Sequence, residues 1–380
     1  MQLTLLDDLT TLPAASWNAL AGDDNPFLRH EFLAALERHH CVGEQAGWWP
    51  QHLLVEEEGQ LLGAVPMYLK NNSYGEFVFD WDWAEAYERN GLRYYPKLVV
   101  AIPYTPTSGP RLLVADGAQR DSVANLLIQG ALEHAHHLKL SSLHWLFTHE
   151  NDTTRLEQQG LLRRTGYQYH WSNPGYRDFD DFLHRFSADK RKKIKRERRH
   201  VVEAGITLEL LDGHHTSEAQ WETFHAFYQS TFDKKWGVAS LTPAFFKALG
   251  ATMPDQTLLI LARHAGRYVA GAFFLRGATT LYGRHWGCAA EFHSLHFEAC
   301  YYRAIDYCIE QGLSRFEAGA QGEHKISRGF LPTPTYSAHW IAHPGFRRAI
   351  QEFVTRERLA LEEQMQALLT HSPFKSTPPT

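Results

Sequence analysis

The sequence predicts an α/β protein of mixed sheets, built from two tandem copies of one module, with a long basic helix opening the second. Three observations carry this reading. Helix and strand patterns run in the same order through each half of the 380 residues: helices, hairpin, extra strand, helix, strand, strand. A hairpin recurs, as Leu53-Leu-Val-Glu-Glu-Glu-Gly-Gln-Leu-Leu-Gly-Ala-Val-Pro-Met and as Leu259-Ile-Leu-Ala-Arg-His-Ala-Gly-Arg-Tyr-Val-Ala-Gly-Ala-Phe-Phe. Between the halves stands the breaker cluster Ser172-Asn-Pro-Gly175, which sets expected domains of 1–174 and 175–380.

Taken in order, residues 7–20 pattern as an entry helix, and Asn25-Pro26-Phe27 marks a turn before a second helix over 29–39. Two apolar runs around Glu-Glu-Gly-Gln make the hairpin of 51–69. Residues 97–113 read as extended chain broken by Pro103, Pro106, Pro110 and Gly109. An amphipathic helix over 121–138 follows, then strands over 142–147 and 167–171. The second cycle starts with one helix over 179–204, closed by Gly205, and a strand over 206–211. Helices over 217–232 and 242–249 precede a second hairpin (257–263 and 267–276) and a strand over 279–288. A helix over 295–312 ends on Gly312, a short strand occupies 313–317, and a last strand (337–341) and helix (345–369) close the chain.

Bulk properties exclude several classes. Hydrophobic residues make up 44% and aromatics 13%, which suits a packed globular chain and not a disordered one. No apolar run approaches the roughly 18 residues that would span a bilayer, and Met1-Gln-Leu-Thr-Leu-Leu-Asp-Asp lacks a basic leader, so a cytoplasmic protein is expected. Cys41, Cys288, Cys300 and Cys308 show neither metal-type nor paired spacing and read as reduced thiols. The cluster Glu133-His134-Ala-His136-His137 reads as a polar helix face, and no metal site is expected. Net charge is −5, yet between Lys190 and Arg199 eight of ten residues are basic and one is Glu197. The side chains of Lys190, Arg191, Lys192, Lys193, Lys195 and Arg196 make this a candidate surface for nucleic-acid phosphates or an anionic membrane, against the plainer reading of a solvated helix.

The densest polar loop is Phe316-Glu-Ala-Gly-Ala-Gln-Gly-Glu-His-Lys-Ile-Ser-Arg-Gly-Phe330, which follows a helix and a short strand. Ligands of α/β sheets gather at the carboxyl ends of strands. Lys325 could stabilise an oxyanion or hold a phosphate, and His324, Glu323 and Glu317 are candidate bases. Gln321 and Arg328 could orient an anionic group, as could Arg284, which strand alternation pairs on one face with Trp286. In the first half, Asp80 and Trp81 could grip a cationic acceptor, and Tyr104, Thr105 and Arg111 flank a proline-rich loop that could line a groove.

The repeated hairpin ending in Val-Ala-Gly-Ala, together with Glu317-Ala-Gly-Ala…Lys325-Ile-Ser-Arg-Gly329-Phe, resembles the acyltransferases of the GNAT superfamily. Ser187-Ala-Asp-Lys-Arg-Lys-Lys-Ile-Lys-Arg, leading to Glu203-Ala-Gly205, is similar to the basic helix opening the second domain of its tandem FemAB-like branch. Phe77-Val-Phe-Asp-Trp-Asp-Trp-Ala and Pro103-Tyr-Thr-Pro resemble a bacterial subgroup described as predicted N-acyltransferases. The resemblance implies two GNAT-like domains and an N-acyltransferase that moves an acyl or aminoacyl group to a small-molecule or peptide amine. It implies no tightly bound cofactor, with acyl-CoA or aminoacyl-tRNA as co-substrate and tRNA as a partner. GNAT enzymes hold pyrophosphate on an Arg/Gln-X-X-Gly-X-Gly/Ala loop at a helix start. The corresponding stretches here, Trp286-Gly-Cys-Ala-Ala-Glu and Pro110-Arg-Leu-Leu-Val-Ala, do not match it, which leaves the donor open. The alternative is a non-catalytic module of the same fold that binds an anionic ligand or nucleic acid.

Overall fold

The computed structural model describes residues 1–234, 237–320 and 322–375. Contacts divide it into two compact units, Met1–Tyr167 with Pro334–Gln364, and Gln168–Thr333 with Met365–Thr380. In chain order the first unit supplies β1 (Gln2–Leu6), α1 (Ala14–Ala21), α2 (His30–Arg38), β2 (Trp48–Pro50), β3 (His52–Glu57), β4 (Gln60–Val65) and β5 (Met67–Lys70). After these come α3 (Trp81–Arg89), β6 (Lys97–Val100), β7 (Leu113–Val114), α4 (Arg120–His137), β8 (Ser142–Thr148) and α5 (Glu150–Gln158). Strand β9 (Leu162–Ser172) carries the chain into the second unit. That unit holds α6 (Phe179–His184), α7 (Ala188–Glu203), β10 (Ile206–Asp212), α8 (Glu218–Asp233), α9 (Pro243–Thr252), β11 (Thr257–His264), β12 (Arg267–Arg276) and β13 (Thr280–Cys288). Next are α10 (Leu295–Phe297), a π-helical stretch over Glu298–Tyr302, α11 (Arg303–Glu310) and β14 (Arg315–Glu317), before β15 (Leu331–Ile341) and α12 (Pro344–Thr370).

In the first unit, β15-β8-β6-β5-β2 form one sheet and β1-β3-β4-β7 a second. Strands β6 and β8 are parallel, with Leu98 opposite Leu143 and Val100 opposite Trp145, and α4 is the crossover between them. The α4 side chains Val123, Leu127, Ile128 and Ala131 pack on Leu53, Val65, Leu98 and Trp145. In the second unit the order is β10-β11-β12-β13-β14-β9. Again one parallel pair, β13 and β14, is joined by a helix, inside an otherwise antiparallel sheet. The repeat read in the sequence is therefore a repeat of structure.

Strand β1 and helices α3 and α5 are not among the expected elements, β15 begins at Leu331 where a strand over 337–341 is expected, and three further local features depart from expectation. The helix expected over 179–204 is two helices, because the chain breaks at Ser187 (ψ 154°) while buried Phe186 packs on Phe374. The extended chain expected over 97–113 holds a strand only at Lys97–Val100 and Leu113–Val114; its prolines keep the rest out of the sheets. The helix over 295–312 is interrupted after its first turn by a π turn at Glu298–Tyr302, a distortion found frequently at functional sites.

Candidate active site

The site of the second unit grows from the parallel strand pair. Strand β13 pairs with β14 only at Thr280, Leu281 and Tyr282, yet it runs on to Cys288 against β12. Beyond Tyr282 and Glu317 the two strands part. At that point β13 carries a bulge: Phe273 lies opposite His285 and Phe274 opposite Gly283, so Arg284 is the extra residue. The bulge overturns the simple alternation expected for Arg284 and Trp286. His285 packs on Tyr228 and Phe246, and the Trp286 ring lies 5.3 Å from His296.

The loop after β14 turns back over this opening. A Cβ placed at Gly319, which has φ 83°, would stand 3.7 Å from the carbonyl oxygen of Gly283, so the loop passes beside the bulge. The Nζ of Lys325 donates to the Gly319 carbonyl at 2.8 Å. Lys325 is 2% exposed, and burial pushes its ammonium down to about 8, with Cys300 acting weakly the other way. Among the described residues no carboxylate forms an ion pair with it. Burial likewise lowers Arg284 to about 10, against the favourable fields of Tyr228 and Glu317.

Around these cations lie groups able to take a proton. Glu317 is buried, 3.9 Å from His170 and 3.7 Å from the guanidinium of Arg315. His324 is exposed and shares a hydrogen bond with the Tyr301 hydroxyl at 3.0 Å. Burial, then Arg328 and Lys325, hold its imidazole below the ordinary value, so it is neutral at pH 7. Glu323 points to solvent, and Gln321 lies outside the described residues.

Arg328 is buried and committed. Its Nη2 donates to Glu197 at 3.0 Å, its Nη1 donates to the His324 carbonyl at 2.8 Å, and its guanidinium sits 3.4 Å from the centre of the Phe297 ring. Glu197 also accepts from the Tyr302 hydroxyl of the π turn. The one acid of the basic run thus ties α7 to both the π turn and the Lys325 loop. Its spacing is a legible signal, since Ile194, Glu197 and Val201 fall at helical intervals and are the buried residues of α7. Outward-facing Lys190, Lys192, Lys193, Lys195 and Arg196 are exposed, Arg191 is half-buried, and Arg198 turns inward to Glu298 and Asp306.

The remaining candidates belong to the first unit. The Arg111 guanidinium is wholly buried and donates to the carbonyls of Leu146, Pro110 and Thr107. Thr105 donates to Pro103, and Tyr104 to the Cys41 carbonyl. Asp80 is buried and accepts from Lys97 at 2.5 Å and from Tyr94 at 2.6 Å, while Trp81 is exposed. His170, Glu197, Phe297, Tyr301 and Tyr302 join the site without having been picked out, since only the fold brings them to the loop. Among the described residues no group of three or more His, Cys, Asp or Glu could hold a metal ion, and no helix is long and apolar enough to cross a membrane. Among the described residues none of the four cysteines forms a disulfide.

Two α/β units in tandem, each with a helix-linked parallel strand pair, define the class of the protein. A family model, FemAB-like, described as peptidoglycan biosynthesis/recognition, matches residues 8–376, and the chain belongs to that family. Among solved structures, FemX is similar with a TM-score of 0.56 and 12% identity, over 92% of this chain and 100% of that one. The L-PGS of Bacillus licheniformis gives a TM-score of 0.52 at 11% identity, over 87% of this chain and 98% of that one. The C-terminal domain of a putative lysylphosphatidylglycerol synthetase from Agrobacterium fabrum gives 0.52 at 11% identity, over 89% and 93%. At such identities the likeness is one of fold. No curated protein matches the sequence.

Proposed function

We propose that the protein is an N-acyltransferase that moves an aminoacyl or acyl group from an activated donor to an amine, with its chemistry in the second unit. The observation that carries this reading is Lys325: a buried ammonium without a carboxylate partner among the described residues, beside a bulged strand at the parting of a parallel pair. Attack of an amine on an ester or thioester carbonyl builds negative charge on the carbonyl oxygen. A fixed cation in a water-poor site stabilises that charge without having to reorganise. The proton lost by the amine passes to a neutral imidazole, His324, or to Glu317, and the leaving oxygen or sulfur takes one up. Arg284 orients an anionic part of donor or acceptor. With no nucleophile motif, the rate enhancement comes from positioning and electrostatics.

Of the two donors, aminoacyl-tRNA is the better supported. The pyrophosphate loop of the CoA enzymes does not occur before α10, and the basic face of α7 suits a phosphate backbone. A thermal-shift titration with acetyl-CoA, longer acyl-CoAs, and charged and uncharged tRNA tests this, since a ligand of the folded state raises Tm. Stabilisation by tRNA that fades with salt is the expected result. Stabilisation by CoA esters alone would transfer the reading to an acyl-CoA enzyme, and silence from every donor would favour a non-catalytic binding module.

A further inference from the structure

The first unit carries a feature the transfer chemistry does not use. Among the described residues, the aromatic side chains left largely exposed are Tyr74, Phe77, Phe79 and Trp81, at 71%, 39%, 53% and 39%. All four fall within residues 74–81, and every other described Phe, Tyr and Trp ring is buried or half-buried. Scattered exposed apolar residues need no explanation; a contiguous set does.

This segment is held in place from beneath. The Nζ of Lys97, fully buried, donates to Ser73 at 2.8 Å, Glu76 at 2.9 Å and Asp80 at 2.5 Å, pinning the segment at three points. Lys70, also buried, donates to the Tyr74 carbonyl at 2.7 Å. Phe77 sits at φ 61°, a region bulky residues avoid and one tolerated where the surroundings impose it. Tyr74 and Trp81 meet edge to face with ring centres 5.0 Å apart. The rings are presented on a fixed frame, which lowers the ordering cost of binding.

The charge beside them has one sign. Trp81 opens α3, and Glu85 and Glu88 follow at i+4 and i+7 on its exposed face, with Asp82 exposed alongside, while Trp83 and Tyr87 turn to the core. No Lys or Arg occurs between Lys70 and Arg89. Arg164, which donates to the Phe79 carbonyl, is held by both oxygens of Glu357 at 2.7 and 2.8 Å. Arg89 reaches Glu85 at 3.2 Å, but both are exposed, and such pairs exchange partners at little cost.

We propose that residues 74–81 and the acidic face of α3 form a docking surface for a cationic peptide. Lysine or arginine side chains lie over the Tyr74 and Trp81 rings, and Asp82, Glu85 and Glu88 balance their charge. The same rings could enter a lipid interface, but the adjoining carboxylates repel anionic headgroups, which favours the peptide. This inference stands apart from the transfer reading and needs no turnover to be tested.

Binding of fluorescently labelled tetralysine to the full chain, followed by anisotropy at 0.15 M salt, is the measurement. Trp81→Ala and Tyr74→Ala should each weaken it at least tenfold, and the double variant E85Q/E88Q about as much, with unchanged melting. The double variant E362Q/E363Q on α12 removes equal charge elsewhere and should leave affinity unaltered. Equal losses in both double variants would reduce the effect to net charge and overturn the site. So would Trp81-dependent sedimentation with phosphatidylcholine vesicles holding 30% phosphatidylglycerol, if tetralysine binding did not depend on Trp81.

Discussion

Replacing Lys325 by methionine should make the protein more stable while slowing its chemistry. The ammonium is almost wholly buried, and its only hydrogen bond among the described residues is to the Gly319 carbonyl. Its proton affinity falls from the usual 10.5 to about 8, and at about 1.4 kcal/mol per tenfold change this puts about 3 kcal/mol against the charged folded form. Methionine keeps the length and removes the charge. The lost bond to Gly319 takes back about 1–2 kcal/mol, so a net gain of about 1–2 kcal/mol is expected at pH 7. The sign with pH follows from proton counting. The unfolded lysine keeps its proton up to 10.5, whereas the folded one releases it from about 8, so wild-type stability rises with pH across that window. The difference should therefore move by about 3 kcal/mol between pH 7 and 10.5, so that the Lys325→Met advantage reverses to a deficit of about 1–2 kcal/mol. Urea melts of both proteins at pH 7, 8, 9 and 10, analysed with a common m-value, measure this directly. A difference independent of pH, or a variant less stable at pH 7 by 2 kcal/mol or more, would mean that an anion already neutralises Lys325, and the reasoning would be refuted.

Other perturbations follow from the same geometry. Glu197→Ala leaves the buried Arg328 without its carboxylate and should cost about 3–5 kcal/mol in urea melts. Lys97→Met strands Glu76 and Asp80 in the first unit and should cost a similar amount, again about 3–5 kcal/mol, with loss of protection from hydrogen exchange over residues 73–80. Gly287→Ala would bring a Cβ to 1.9 Å from the Phe227 carbonyl, where α8 crosses β13, and circular dichroism should show a much lowered Tm. The triple variant K192A/K193A/R196A on the exposed face of α7 should melt within about 0.5 kcal/mol of wild type, because these side chains cover little. Its tRNA affinity, by filter binding, should fall with a shallower salt slope.

Much of this organisation is legible in the sequence because it rests on local pattern. The unbroken apolar runs Leu258-Leu-Ile-Leu and Val269-Ala-Gly-Ala-Phe-Phe, flanked by turn residues, yield β11 and β12, and the glycines around Lys325 mark a loop after a strand. What local pattern does not carry is decided by contacts distant in sequence. The bulge at Arg284 depends on how β12 pairs with β13, and the π turn at Glu298–Tyr302 is gripped by Glu197 and Arg198, about a hundred residues earlier. The break at Ser187 is invisible to helix propensity because it answers to Phe374. Arg328 looked like a free anion clamp and is bonded to Glu197; Asp80 looked open to a cationic acceptor and already holds Lys97. Glu197 could have been found, as a lone acid at an inward helical position in a run of bases.

The central claim is acyl transfer assisted by Lys325. The direct measurement follows label from charged tRNA, and separately from acyl-CoA, into a mixture of amine acceptors, comparing wild type with Lys325→Met. Transfer from one of these donors is expected, with a rate lower by about 10²–10³ in the variant and donor affinity nearly unchanged. Equal rates from both proteins would contradict the role of Lys325, and a wild-type protein that binds and transfers from neither donor would contradict the function.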